Sequence, residues 1–399
     1  FVILGGGMVA GYAAKQLVEL GLKAGELAIL SSDTSIPYER PPLSKGFLAG
    51  KDSEESIRIN SEGFYREHGI EVKLDCEVSA VDPGRKRLAL KTGEELGFNK
   101  LVVATGATPR TLDIAGDEAR NLHYLRSLEN AKAIQRAAGT VKRVVVIGGG
   151  FIGMEVAAVL AQKGAEVTMV LGDDRIWKRL FSPQMSSFFE TYYAERGVQF
   201  IKGATVKQFA DQGVVLGGGQ QIACEMAVAG IGVRPVTGML ASSGIATADG
   251  VLVNEYLETS HPDIYAAGDV ANYQDLLFGK RRRVEHWDNA VSQGQHCARA
   301  LMGERAPFKH VPYFFSDVFD LSYEYWGDSS GAEQIIHRGD LSSKSFSVWW
   351  LRQGQVVAAF VMNRPEEERE LAPKWIESKQ AVSATKLKDG LSSASAAAD

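Results

Sequence analysis

Two glycine-rich turns of one kind, Gly5-Gly6-Gly7-Met8-Val9-Ala10 and Gly148-Gly149-Gly150-Phe151-Ile152-Gly153, restrict the fold of this chain more than any other feature. An apolar strand-like run enters each turn, Phe1-Val2-Ile3-Leu4 in the first case and Arg143-Val144-Val145-Val146-Ile147 in the second, and a helix-like run follows. In such a unit the first Gly makes the tight turn and the second lets the backbone approach a pyrophosphate. The third small residue lets helix and strand close up, while the helix N-terminus faces the phosphate charge. Gly5, Gly7 and Ala10 hold these places in the first turn, and Gly148, Gly150 and Gly153 in the second. A single turn of this type also closes ordinary strand-to-helix connections. Two of them, each in its proper context, imply two bound dinucleotides.

The chain has 399 residues, enough for two or three domains at about 100–200 residues each. Its 42 glycines suit a fold with many tight turns, and a net charge of -5 does not point to nucleic acid. Cys76, Cys224 and Cys297 are odd in number and contain no C-x-x-C pair, so neither a disulfide framework nor a thiol redox centre is indicated, which fits a reducing cytoplasm. The histidines form no metal-ligand spacing, and no metal site is expected. Redox chemistry would therefore come from an organic cofactor. The apolar stretch 144–161 contains the second glycine turn and Glu155, and reads as strand, turn and helix rather than a membrane span. The numbering opens on Phe1 inside a strand pattern, which leaves a removed N-terminal segment open.

The expected class is α/β, with two Rossmann-like dinucleotide-binding domains and a small C-terminal α+β domain. Residues 8–20 read as a helix and 26–30 as a second strand, after which Asp33 is placed to reach a ribose hydroxyl or to cap a turn. Residues 101–107 form a buried strand ending in small residues, a crossing point between domains. A second unit starts at Lys142, has its own second strand at 166–171 and continues to 226–232. Residues 263–270 form an apolar strand ending in Gly268-Asp269, where an acidic side chain can bind a hydroxylated chain or cap a helix. From about residue 306 aromatics and alternating strands at 344–350 and 356–361 take over. The expected domains are 1–111 with 235–307, then 112–234, then 308–399, and the Ser/Ala-rich tail 392–399 is expected to fray.

These segments resemble the two-dinucleotide-binding flavoprotein reductases of the pyridine nucleotide-disulfide oxidoreductase superfamily. Within it they look like the branch of ferredoxin and rubredoxin reductases, monodehydroascorbate reductase and apoptosis-inducing factor. The resemblance spans essentially the whole chain. It rests on Pro37-Tyr38-Glu39-Arg40-Pro41-Pro42-Leu43-Ser44-Lys45, Ala104-Thr105-Gly106, Ala267-Gly268-Asp269, Arg283-Val284-Glu285-His286-Trp287-Asp288-Asn289-Ala290 and Pro312-Tyr313-Phe314-Phe315-Ser316-Asp317. It implies FAD in the first nucleotide domain and NADH or NADPH in the inserted one, with hydride passing to the flavin and electrons leaving singly. Arg40 would face the FAD phosphates, Lys45 would sit beside the isoalloxazine, and Glu155 would hold Lys45. The other cofactor contacts it implies are Ala104, Thr105, Gly106, Arg110, Phe151, Ile152, Gly232, Gly268, Asp269, Glu285, His286, Trp287 and Phe315. Asp173, just past the second strand of the inserted domain, favours NADH. The segment 41–45 holds no cysteine where disulfide-type relatives place a redox one, which disfavours thiol-based relatives.

The acceptor implied is a small iron–sulfur or rubredoxin-type protein, reached by a monomer or homodimer in the cytoplasm, with no membrane or nucleic-acid partner. Monodehydroascorbate reductase is the alternative, and plant members grip their substrate with an Arg and a Tyr where this chain has Val291 and Phe315. A redox sensor resembling apoptosis-inducing factor is another. The basic run Lys280-Arg281-Arg282-Arg283 is either a docking patch for an acidic partner or a solvated face.

Overall fold

The computed structural model describes residues 1–116, 121–210 and 213–389. The chain divides into two compact units: one comprises Phe1–Pro42, Asp52–Thr108 and Val233–His310, and the other Leu43–Lys51, Pro109–Gly232 and the described residues from Val311 on. The tail 392–399 lies outside the described residues.

In the first unit a five-stranded parallel sheet runs Ile264–Ala266, Leu101–Val103, Val2–Leu4, Ala28–Leu30, Glu71–Lys73 from edge to edge. Numbered along the chain that order is 5-4-1-2-3, the doubly wound arrangement that leaves a crevice at the C-terminal ends of strands 1 and 4. The central strands are apolar without alternation because both faces are covered. The Met8–Glu19 helix buries Val9, Ala13, Ala14 and Leu17. The Trp287–Leu301 helix approaches it so closely at Gly294 that a Cβ there would stand 2.8 Å from the Val9 carbonyl oxygen. Between Glu71–Lys73 and Leu101–Val103 the chain makes a three-stranded antiparallel sheet, Val78–Asp82, Arg87–Leu90 and Glu95–Gly97.

The second unit is built on a similar plan. Its parallel sheet runs Gln199–Ile201, Glu166–Val170, Arg143–Ile147, Met226–Ala229, Leu122–Tyr124, and a three-stranded antiparallel sheet of Val206–Ala210, Gly213–Leu216 and Gln221–Ala223 again precedes the strand, here Met226–Ala229, that flanks the glycine-turn strand. The apolar stretch 144–161 falls into the strand Arg143–Ile147 and the helix Phe151–Gln162, and among the described residues no helix is long and apolar enough to cross a membrane. A five-stranded antiparallel sheet follows, in the order Tyr313–Val318, Leu321–Gly327, Gln355–Met362, Ser345–Arg352, Gln334–Asp340, with the Glu366–Ser378 helix beside it. The α/β class, the two Rossmann-like sheets and the C-terminal α+β part are as expected.

Two strands are shorter than their sequence pattern. The second begins at Ala28 because Glu26 belongs to the preceding turn, where its carboxylate accepts the Lys23 amide at 3.0 Å. The run 101–107 breaks after Val103. There the Thr105 hydroxyl donates to the Val236 carbonyl at 2.6 Å, and the Val236 amide donates back to Gly106 at 3.0 Å.

Candidate functional site

The two turns are built alike. Gly5 has φ +127° and Gly148 φ +106°, and an added Cβ would lie 2.1 Å from the Ala104 carbonyl oxygen in one and 2.3 Å from that of Gly230 in the other. Both glycines are thus pressed against the end of the neighbouring strand, Leu101–Val103 or Met226–Ala229, in a backbone conformation that L side chains rarely adopt. Ala10 is fully buried, and a Cβ on Gly153 would meet the Gly148 carbonyl at 2.3 Å, so the third position of each turn seats helix on strand. Gly7 and Gly150 differ from these: a Cβ on either would enter open space. Each is the N-cap of a 12-residue helix, makes no side-chain capping bond and has no acidic residue in the turn that follows. Each helix therefore presents N–H groups without a side-chain cap and its positive dipole end to open space, which fits a pyrophosphate.

Around the first turn, Ser31 is buried and its hydroxyl accepts the Asp33 amide at 3.1 Å. The Asp33 carboxylate accepts the Tyr38 hydroxyl at 2.8 Å and lies 3.7 Å from the Arg40 guanidinium, which stacks 4.6 Å from the Tyr38 ring centroid. Asp33 and Arg40 are thus brought together. Glu39, between Tyr38 and Arg40, joins two helices: one carboxylate oxygen accepts the Tyr12 hydroxyl at 2.5 Å and the other the Trp287 indole N–H at 2.6 Å. Burial, and then that hydrogen bond, pushes the Tyr12 hydroxyl well above its ordinary value, so it stays a donor. Gly268 donates its amide to the buried Gln293 side chain at 2.8 Å, and half-buried Asp269 follows at the start of the Trp287 helix's neighbouring turn, Gly268–Val270. His286 stands at the N-cap position of the Trp287 helix without a side-chain capping bond, and Glu285 is exposed and bound to Arg283.

In the second unit the decisive feature is Glu155, which is 4% exposed on an otherwise apolar helix. Its Oε1 accepts the Lys45 ammonium at 2.8 Å and the Ser316 hydroxyl at 2.5 Å, while Oε2 accepts the Ser44 hydroxyl. Lys45 Nζ also lies 5.3 Å from the Phe315 ring centroid. Three chain segments, Ser44-Lys45, the Phe151–Gln162 helix and the strand Tyr313–Val318, thereby meet at one carboxylate. Near the second turn, Phe151 packs on Phe314 and Trp177, and Ile152 is 44% exposed. The Arg110 amide donates to the Gly232 carbonyl at 2.9 Å, bringing those two residues together, and Asp173 is exposed beyond the strand Glu166–Val170.

The description "Pyridine nucleotide-disulphide oxidoreductase" matches residues 1–294, and "Reductase C-terminal" matches residues 313–395. The chain belongs to the pyridine nucleotide-disulphide oxidoreductase family. It is an FAD-dependent NAD(P)H oxidoreductase of the ferredoxin reductase type. Among its relatives are the peroxisomal monodehydroascorbate reductase 4 of Arabidopsis thaliana, 37% identical over 96% of this chain and 83% of that one. Another is the 5,5'-dehydrodivanillate O-demethylase ferredoxin reductase subunit of Sphingobium sp., 36% identical over 92% and 90%. Of solved structures, the covalent putidaredoxin reductase–putidaredoxin complex superimposes with a TM-score of 0.93 at 33% identity, covering 97% of this chain and 95% of that chain. A ferredoxin reductase from Rhodopseudomonas palustris gives 0.92 at 31%, covering 96% of each.

The disulphide in the family description has no counterpart in this oxidoreductase. Its three cysteines are free, and burial pushes the thiols of Cys224 and Cys297 up to about 11 and about 12, which disfavours the thiolate at neutral pH. Lys280–Arg283 is neither a bare patch nor a freely solvated face. The run is a strand whose charges have local partners: Arg282 pairs with Asp275 at 3.1 Å, and Arg283 pairs with Asp249 at 3.0 Å and with Glu285. Arg281 donates to the carbonyls of Val253 at 2.8 Å and Asn272 at 2.6 Å. Glu39, Ser44 and Ser316 were not singled out from the sequence, although all three lie within the motifs that carry the resemblance. Nothing in a lone Ser or Glu marks it before its partner is known.

Proposed function

We propose that this oxidoreductase holds FAD in residues 1–111 and 235–307, receives NADH at 112–234, and passes electrons singly to a ferredoxin- or rubredoxin-type protein. The observation that carries the reading is the pair of uncapped helix N-termini at Gly7 and Gly150, each over the crevice of its own sheet. Arg40 would balance the FAD phosphates, Asp33 a ribose hydroxyl, and Asp269 the hydroxylated chain of the flavin. FAD, when bound, supplies the junction between a two-electron hydride donor and a one-electron acceptor. The protein's part is to orient and to set charge: Lys45 would place its ammonium beside the ring where negative charge develops, and Glu155 would fix that ammonium in place. Proximity of the two cofactors and exclusion of water would supply most of the rate.

An acceptor protein is supported by the ferredoxin reductases among the relatives and structural neighbours. The monodehydroascorbate reductases among them favour a second reading. Against it, Val291 and Phe315 offer neither a cation nor a hydroxyl to a small radical anion. Anaerobic reduction with NADH followed by a panel of ferredoxin, rubredoxin, monodehydroascorbate and quinone separates the two. Transfer to an iron–sulfur protein is expected to be the fastest. Fastest transfer to monodehydroascorbate would replace the first reading with the second.

NADH is the expected donor. Asp173 and Asp174 are exposed beyond the strand Glu166–Val170, while the Arg175 guanidinium turns to the carbonyls of Lys178 at 3.1 Å and Phe181 at 3.4 Å. Asp174 is paired with Lys178 at 3.1 Å and Arg175 at 3.7 Å, so a 2′-phosphate there would meet chiefly the Asp173 carboxylate. One unfavourable charge contact of about 1.4 kcal/mol is roughly tenfold in binding, so kcat/KM for NADH should exceed that for NADPH by at least about tenfold. A preference for NADPH in stopped flow would disprove the assignment.

A further inference from the structure

The Glu155 carboxylate is shared more widely than an ion pair with Lys45 requires. Oε1 accepts both Lys45 Nζ at 2.8 Å and Ser316 Oγ at 2.5 Å, and Ser44 Oγ donates to Oε2. Ser316 is 1% exposed and Ser44 equally so, which leaves neither hydroxyl to water. The Glu155 helix is itself anchored here, because the Tyr193 hydroxyl donates to the Met154 carbonyl at 3.0 Å from full burial. A carboxylate on a two-methylene stem, held only by a lysine ammonium, would still rotate and carry the ammonium with it. Two hydroxyl donors from separate segments fix the plane of the carboxylate, and with it the one direction from which Lys45 can bind.

We infer that Ser316 and Ser44 are positioning residues that hold the Glu155 carboxylate in the orientation that sets the place of the Lys45 ammonium. Through Ser316, the strand Tyr313–Val318 thereby helps to set how strongly the protein favours the reduced cofactor. The inference rests on the reading of Lys45 and Glu155 given above. Charge-assisted hydrogen bonds of this kind are about twice as strong as neutral ones, so the loss of one is measurable.

The test uses the FAD-loaded protein. Ser316→Ala should keep its FAD and its KM for NADH, reduce the flavin three- to tenfold more slowly, and lower the two-electron midpoint potential by the equivalent fold-change, roughly 15–30 mV. Ser44→Ala should shift both readouts in the same direction from the other oxygen. In a Lys45→Ala background the Ser316→Ala change should lose its effect, because its action runs through the ammonium. If Lys45→Ala slows reduction and lowers the potential while Ser316→Ala and Ser44→Ala change neither, the assignment of the serines is overturned and the reading of Lys45 stands. An effect of Ser316→Ala that persists in full without Lys45 overturns the assignment as well. Wild-type kinetics and potential in Lys45→Ala overturn both.

Discussion

Lys45→Ala will retain FAD and lose most of its rate of flavin reduction by NADH. The phosphate end of the cofactor is assigned to the first glycine turn and Arg40, neither of which the substitution touches. What disappears is a positive charge 17% exposed, held 2.8 Å from a buried carboxylate. A charge a few ångströms from developing negative charge is worth about 2–3 kcal/mol at the screening typical of partly buried sites. That corresponds to roughly a 30- to 150-fold slower hydride step. The substitution also leaves Glu155 without its cation, and breaking a buried pair from one side costs about 3–5 kcal/mol of stability. The double variant with Glu155→Gln removes that uncompensated charge, so its thermal stability should recover while reduction stays slow. Anaerobic stopped flow on both variants separates the kinetic effect from the stability effect. A wild-type reduction rate in Lys45→Ala would refute the role.

The glycine turns were legible in the sequence because their chemistry is local: a backbone at φ +127° or +106° against a neighbouring carbonyl admits little besides glycine. The same holds for the glycine-turn strands Val2–Leu4 and Arg143–Ile147 and their neighbours Leu101–Val103 and Met226–Ala229, whose apolar runs reflect burial on both faces. The small antiparallel sheets at Val78–Gly97 and Val206–Ala223 were not legible, since their strands are short and half polar. Contacts across long sequence distances were also hidden. Ser44 and Ser316 stand 111 and 161 residues from Glu155, so nothing in either motif announces the shared carboxylate. The pairing of the basic run was hidden for a related reason. Four adjacent cations stand in the sequence without visible partners, and only the pairing of Lys280–Arg283 with Ala271–Asp275 brings Asp275 to Arg282, while Asp249 arrives beside Arg283. Charge sequence is visible in a linear string, whereas charge compensation depends on the sheet.

Valine at Gly7 and valine at Gly150 should give two opposite phenotypes, and together they test which turn serves which cofactor. Gly7 has φ -91° and Gly150 φ -79°, both ordinary for L residues, and at neither does a Cβ meet an atom within 4 Å. The fold should therefore survive with a loss of about 1 kcal/mol from the poorer N-cap. A branched side chain would, however, occupy the approach to the bare N–H groups that a pyrophosphate needs. Gly7→Val should purify as a folded protein depleted in FAD by at least about tenfold, and Gly150→Val as a yellow protein whose KM for NADH rises by at least about tenfold, each corresponding to the loss of about 1.4 kcal/mol or more of binding. Valine at Gly5 or Gly148 makes the contrast, since its Cβ would lie 2.1 or 2.3 Å from a backbone oxygen. That collision, added to the strained backbone, should cost more than about 4 kcal/mol and remove folded protein altogether. Measuring FAD content, KM for NADH and thermal unfolding across the four variants therefore distinguishes occlusion from misfolding. Should Gly7→Val keep its flavin while losing NADH, and Gly150→Val do the reverse, the assignment of FAD to the first turn would be inverted.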